Sequence, residues 1–149
     1  MIGLTALPAA ADAVAEVTAL LCDRTIHFAD QIEFTSYDGR ASLWYAGMDE
    51  MIVGTWEVVE TPDGRIDVCY KYQPGSFGFA DDGLYCHDYA RWRETIQAGG
   101  VRDGDRFGLE TGRIPFRLPA FPALPPAGFD ADYPDQPRHA VCDASAPVS

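Results

Sequence analysis

The spacing of apolar residues changes near residue 22. From Asp12 to Cys22, the apolar positions Val14, Val17, Leu20 and Leu21 recur at helical spacing, which predicts one short helix with Asp12 as its N-cap. Beyond it the period falls to two. "TIHFA" and "IEFTSY" read as short strands, "YDGR" as a tight turn centred on Asp38-Gly39, and "ASLWYAG" as the returning strand. "MIVGTWEVVE" alternates Ile52, Trp56 and Val58 against polar or small neighbours, with Gly54 marking a bulge or a close approach. "TPDGR" is a second turn, and it leads into "GRIDVCYKY", where Ile66, Val68, Tyr70 and Tyr72 alternate against Asp67, Cys69 and Lys71.

"QPGSFGFADDG" interrupts regular structure with Pro74, Gly75, Gly78 and Gly83, and "LYCHDYARW" resumes an extended pattern. "RWRETIQAGG" reads as a last strand or a helical turn, and "DGDRFGLETG" as a further small hairpin. These elements predict a mainly β (α+β) fold: an antiparallel meander of five to seven strands, open or barrel-like, with the helix covering one face or end. Beyond Ile114 most of the prolines appear, which excludes a central strand and predicts a Pro-rich extended arm over residues 115–149. Its apolar residues Phe116, Leu118, Phe121, Leu124 and Phe129 favour an arm lying on the domain, anchored by Cys142, over a flexible tail.

At 149 residues the chain fits one domain with a real hydrophobic core, here placed at residues 14–114. Its formal net charge of −12, with Lys71 the only lysine, disfavours nucleic acid and favours a basic macromolecule or a neutral small ligand. No apolar run is long enough to span a membrane. At the N-terminus a short apolar run precedes small residues, and "ADA" (Ala11 to Ala13) fits an A-x-A cleavage rule without a basic region before it. Residues 1–13 therefore read as the remnant of a signal peptide; the alternative is that Ala9 to Leu21 simply opens a helix.

Four cysteines in a small exported chain are expected to be bonded. If the strands carrying Cys69 and Cys86 are adjacent and antiparallel, the two residues stand opposite each other within disulfide reach, leaving Cys22 for Cys142. Zinc chemistry lacks the close ligand pairs it needs, and no C-x-x-C precedes a helix. Among catalytic groups, His27, His87 and His139 lie in separate segments outside any motif, with His27 expected at a surface or half-buried strand position. Ser76 in "PGSFG" is not a nucleophile elbow. "DGDRFG" matches the first, third and sixth positions of a calcium loop and then fails at Phe107 and Ile114; "DADYPD" lacks a closing glutamate. No catalytic residue, metal or cofactor is therefore assigned.

The aromatic residues are the most distinctive content. Trp44, Tyr45, Trp56, Tyr70, Tyr72, Tyr85, Tyr89 and Trp92 all fall on predicted strands, so alternation divides them between a core and a second face. The candidate binding residues are Trp44, Trp56, Tyr72, Tyr85, Tyr89 and Trp92, with Arg91 and Arg93 flanking Trp92 to orient an anionic group. The plainer reading is that the aromatics all serve packing.

From Val14 to Trp92, the helix, "YDGR", "WYAG", "GTWEV", "VCYKY" and the later "YC" resemble a family of short exported proteins, mostly proteobacterial, of unknown function. That resemblance implies export and a small β-rich domain, and it brings no activity. Cys22, Cys142 and the proline-rich arm depart from the pattern. The G-x-W is also similar to that of lipocalin-like barrels, although there it occupies the first strand and Trp56 is mid-chain. Two functions are expected from these features. One is an exported non-catalytic binding protein for a small ligand or a basic envelope protein, including an inhibitor of a basic hydrolase. The other is a small envelope hydrolase that uses acidic residues and a histidine.

Overall fold

The computed structural model describes residues 10–48, 50–73, 83–114 and 136–144. A helix, α1 (Ala10–Leu21), precedes strands β1 (Arg24–Phe28), β2 (Gln31–Thr35), β3 (Arg40–Tyr45), β4 (Ile52–Glu60), β5 (Ile66–Tyr72) and β6 (Leu84–Asp88). A single helical turn, α2 (Tyr89–Trp92), and a 3-10 turn over Arg93–Thr95 lead to β7 (Ile96–Asp103); a last short helix, α3 (Ala140–Ala144), carries Cys142. The sheet is antiparallel with the order β6-β5-β4-β3-β2-β1-β7, curled into a half-barrel. The meander expected from the sequence therefore accounts for six strands. The seventh does not extend it but returns to the opposite edge, beside β1.

That return explains the curl. Six inter-strand gaps in a flat sheet would cover roughly 29 Å, whereas the seven residues from Tyr89 to Thr95, coiled as helix, reach only about 10 Å. The sheet must bend until its two edges approach. Two hairpins set the register along the way, and both use one local chemistry. In "SYDGR" and "TPDGR" the first hydroxyl accepts the arginine N–H, Ser36 from Arg40 at 2.8 Å and Thr61 from Arg65 at 3.1 Å. The fourth residue, Gly39 or Gly64, takes φ of +86° or +84°, a conformation that side chains resist.

The inner face of the sheet is covered along its length, and the outer face over β2 and β3. Inside the curl, Ile26, Phe28, Leu43, Ile52, Trp56, Val58, Val68, Tyr70 and Tyr72 pack with Val17 and Leu21 of α1 and Trp92 of α2. On the outer face, Ile32, Phe34 and Trp44 are covered by Phe107 and Leu109 from the loop after β7. Thr25 holds that loop: its hydroxyl donates to the Gly104 carbonyl at 2.6 Å and accepts the Arg106 N–H at 3.0 Å.

All four cysteines are paired, Cys22 with Cys142 and Cys69 with Cys86, as the sequence led us to expect. Two disulfides fit an oxidising, exported location. The first pair closes a separation of 120 residues and the second one of 17, constraints worth about 5 and about 3 kcal/mol in a chain-entropy treatment. Arg138 reinforces the longer tie by donating to the carbonyls of Ala19 and Cys22. Asp23, in the left-handed region at φ +57°, turns the chain out of α1 and accepts both the backbone N–H of His139 at 2.7 Å and its Nδ1 at 2.6 Å.

Several local expectations are corrected. Asp12 lies in the first turn of α1 together with Ala11 and Ala13, not at its cap, because the helix starts earlier. Tyr89 and Trp92 sit on α2 rather than on a strand, since Asp88 accepts the Ala90 N–H at 3.1 Å and starts a helical turn. "DGDRFGLETG" is not a hairpin: Asp103 ends β7 and pairs with Arg24, while Asp105 accepts the N–H groups of Leu109 and Glu110 and folds the segment into a 3-10 turn. Those bonds are the work of the two acids that resembled a calcium loop. The proline-rich segment and "DADYPD" lie outside the described residues, apart from the anchor at Cys142 and the helix α3 around it.

Gly54 marks a close approach of two strands within the curl. It stands opposite Tyr72, and a Cβ at Gly54 would come within 2.2 Å of the Lys71 carbonyl oxygen. Gly54→Ala is expected to lower stability by about 1–3 kcal/mol, through forced separation of β4 and β5. Thr55→Ala, at the exposed neighbouring position, is expected to change it by less than about 0.5 kcal/mol; denaturant midpoints measure both.

Candidate binding cleft

The open side of the half-barrel holds a cleft of about 890 Å³. One wall is the β1–β2 turn, from Phe28 to Gln31; the other is the end of β6 with α2 and the residues after it, contributing Cys86, His87, Asp88, Arg91, Trp92 and Thr95. Each wall follows from local sequence. "ADQ" makes a short polar turn between two buried strands, and Asp88 starts the helical turn that swings Trp92 inward.

Behind the cleft lies a series of aromatic rings. Trp92 packs against Phe28 at 5.3 Å between ring centroids and against Tyr70 at 6.3 Å; Tyr70 lies 6.5 Å from His87 and is parallel to Tyr72 at 6.0 Å. The rim is polar. Asp30 accepts the Tyr45 hydroxyl at 3.0 Å, and Arg91 stands 4.0 Å from Asp88. His87 opposes Val68 on β5, and partial burial pushes its imidazole below the ordinary histidine range, with Asp67 acting in the opposite direction.

Deeper inside the curl is a group that sequence patterning did not reveal. Glu33 is 1% exposed and accepts the Tyr72 hydroxyl at 2.7 Å. The buried Tyr70 hydroxyl lies near the same carboxyl but outside hydrogen-bond geometry. Burial raises the Glu33 carboxyl to about 8, against the lowering effect of the tyrosines, so at neutral pH it is mostly protonated. The bond spans the interior from β2 to β5, and the small residues Ala41 and Gly54, paired across β3 and β4, leave room for the Tyr72 ring.

The expected binding residues divide into four groups. Trp44 is fully buried on the outer face and does not line the cleft, with Phe107 against it at 5.6 Å. Trp56 and Tyr72 are interior packing residues; the indole N–H of Trp56 donates to the Ser36 carbonyl at 2.9 Å. Tyr85 and Tyr89 are partly buried beside the same core, and the Arg93 guanidinium sits over the Tyr89 ring at 5.8 Å. Only Arg91 and Trp92 of the candidates line the cleft. The broad exposed aromatic face is thus replaced by a narrower site, because strand alternation sends Trp56, Tyr70 and Tyr72 into the curl and Trp44 to the part of the outer face that Phe107 and Leu109 cover.

His27, expected at a surface or half-buried position, is fully buried on the outer face with its ring 5.6 Å from Phe107. Among the described residues no group of three or more His, Cys, Asp or Glu side chains is placed to hold a metal ion. No described helix is long and apolar enough to cross a membrane. The chain matches no protein-family profile, no curated protein and no solved structure.

The buried carboxyl gives a pH dependence of known sign. Because the folded protein holds this proton up to about pH 8 while the unfolded chain releases it near 4.5, Glu33 supports the fold fully below about pH 4.5. That support is lost as pH rises from there through about 8. Glu33→Gln, which keeps a hydrogen-bonding side chain of the same shape, is expected to remove this decline. At pH 9 it should exceed the parent in stability by on the order of a few kcal/mol. Denaturant titrations of both proteins between pH 4 and 9 read the difference and cancel the contributions of the histidines.

Proposed function

We propose that this protein is an exported, non-catalytic binding protein that takes a small ligand into the cleft on the open side of its half-barrel. The cleft carries this reading: its volume suits a small molecule, aromatic rings back it, and a few polar groups stand at the rim. Asp30 and Asp88, in a chain of net charge −12, favour a ligand that joins an apolar or aromatic body to a cationic or neutral polar group. The same charge would speed association with a basic envelope protein, the alternative partner. A periplasmic or secreted site of action, and kinship with the small exported proteobacterial proteins that the sequence resembles, belong to the same proposal; the two disulfides support it.

One observation favours a second reading, an envelope hydrolase. His87 shares the cleft with Asp30 and Asp88, which is the set of groups general acid–base chemistry draws on.

Titration with benzamidine, with benzoate as the charge-reversed probe and lysozyme as a basic protein, separates these outcomes. Benzamidine is expected to change tryptophan emission saturably and to raise the melting temperature, and the Asp30→Asn/Asp88→Asn double variant to lose both effects. Equal effects from benzoate, or none from any probe, would overturn the small-cation reading; a response to lysozyme alone would move the proposal to a protein partner. Turnover of a peptide, ester or glycan substrate that His87→Ala abolishes would establish the hydrolase.

A further inference from the structure

The two disulfides occupy opposite environments. Cys22 and Cys142 are 5% and 0% exposed, beneath α1 and the segment that Arg138 ties down. Cys86 is exposed, whereas its partner Cys69 is buried. The second bond joins directly opposed residues of β5 and β6, with 4.1 Å between their Cα atoms, so it lies across the strands at the edge of the sheet. Among the described residues β6 pairs with a strand on one side only.

We propose that the Cys69–Cys86 bond is a thiol-exchange site entered at Cys86. Thiol–disulfide exchange requires a thiolate to approach one sulfur in line with the bond being broken, so access decides which sulfur is attacked. For a bond running across the strands, the line into Cys86 comes from beyond the sheet edge, whereas the line into Cys69 passes over β4. Glu57 stands opposite Cys69 in the β4–β5 register, and its carboxylate repels an incoming thiolate on that side. Lys71, two residues along on the same face, stabilises Cys69 as it leaves as a thiolate.

The reductant is a dithiol of the kind that thiol–disulfide oxidoreductases carry. Its thiolate forms a new S–S bond with Cys86 Sγ while the Cys69–Cys86 bond breaks, and Cys69 departs with the electron pair and then takes a proton. The second thiol of the reductant next attacks its own sulfur in the mixed disulfide, and the Cys86 thiolate leaves and is protonated. Two electrons have passed from the dithiol, now a disulfide, to the protein, now with two thiols. Opening this bond removes the covalent tie on β6, which forms one wall of the cleft with Cys86, His87 and Asp88. The exchange site itself does not depend on what the cleft holds.

The test treats the native protein with glutathione below the concentration that unfolds it. Samples are quenched with acid, free thiols are alkylated with N-ethylmaleimide, and tryptic peptides are analysed by mass. Cleavage after Arg65, Lys71 and Arg91 puts Cys69 and Cys86 in separate peptides. The Cys69–Cys86 pair is expected to open at least tenfold faster than Cys22–Cys142, with glutathione on Cys86 and the maleimide on Cys69. Hydrogen exchange on the same samples should accelerate in β6 and α2 while β1 to β4 stay protected. Glutathione on Cys69, earlier opening of Cys22–Cys142, or simultaneous appearance of all four thiols with global loss of protection would overturn the proposal.

Discussion

The short link between β6 and β7 is the constraint on which the rest of the fold depends. A seven-residue connection cannot join the two edges of a flat seven-stranded sheet, so the chain must curl before β7 can pair with β1. The curl creates an interior that α1 can fill and an open side that α2 must cross. It also demands a place where adjacent strands come unusually close, and Gly54 provides it by lacking the side chain that would meet the Lys71 carbonyl. The Tyr72 ring then lies across the interior and reaches Glu33 on β2, tying together strands that the ladder separates by two others.

Much of this was legible in the sequence because the signals were local. The two D-G-R turns fixed hairpin positions through a hydroxyl, a glycine and a short loop. Period-two alternation located the first five strands, and the opposition of β5 and β6 made the Cys69–Cys86 bond a geometric expectation. What could not be read was the destination of β7, since its pairing partner lies some seventy residues earlier and no local pattern names it. The same gap misplaced the aromatics. Alternation says which residues share a face but not whether that face is covered, and here the Phe107–Leu109 loop covers the outer face at Trp44 while α1 fills the inner one.

That double cover also hid the chemistry. In "QIEFT" the pattern marks Ile32 and Phe34 as inward and leaves Glu33 on the face that a one-sided sheet would give to solvent. With both faces packed at β1 and β2, Glu33 and His27 are buried on opposite sides of the sheet. The cleft residues Phe28, Asp30 and Gln31 were equally silent, because a turn between two strands becomes a wall only when the far edge of the sheet is brought round to face it. Arg91 and Trp92 were found for a reason independent of the fold, as an aromatic residue beside a cation.

A buried carboxyl in a small domain is a cost that apolar packing would avoid, so its retention asks for a physical role. Glu33 can be kept in the interior as the neutral acid at moderate pH, because the Tyr72 hydroxyl satisfies one of its oxygens and burial suppresses its ionisation. An apolar side chain at position 33 would leave the Tyr72 hydroxyl without this acceptor inside the core, a penalty of about 1–3 kcal/mol for such a group. The pair also distinguishes one register from its neighbours: slipping β2 by one residue against β3 would bring Ile32 or Phe34 to face the hydroxyl and turn Glu33 outward. The hydrogen bond therefore adds to the burial of Ile32 and Phe34 in favouring the observed register, the one in which the β1–β2 turn forms a wall of the cleft.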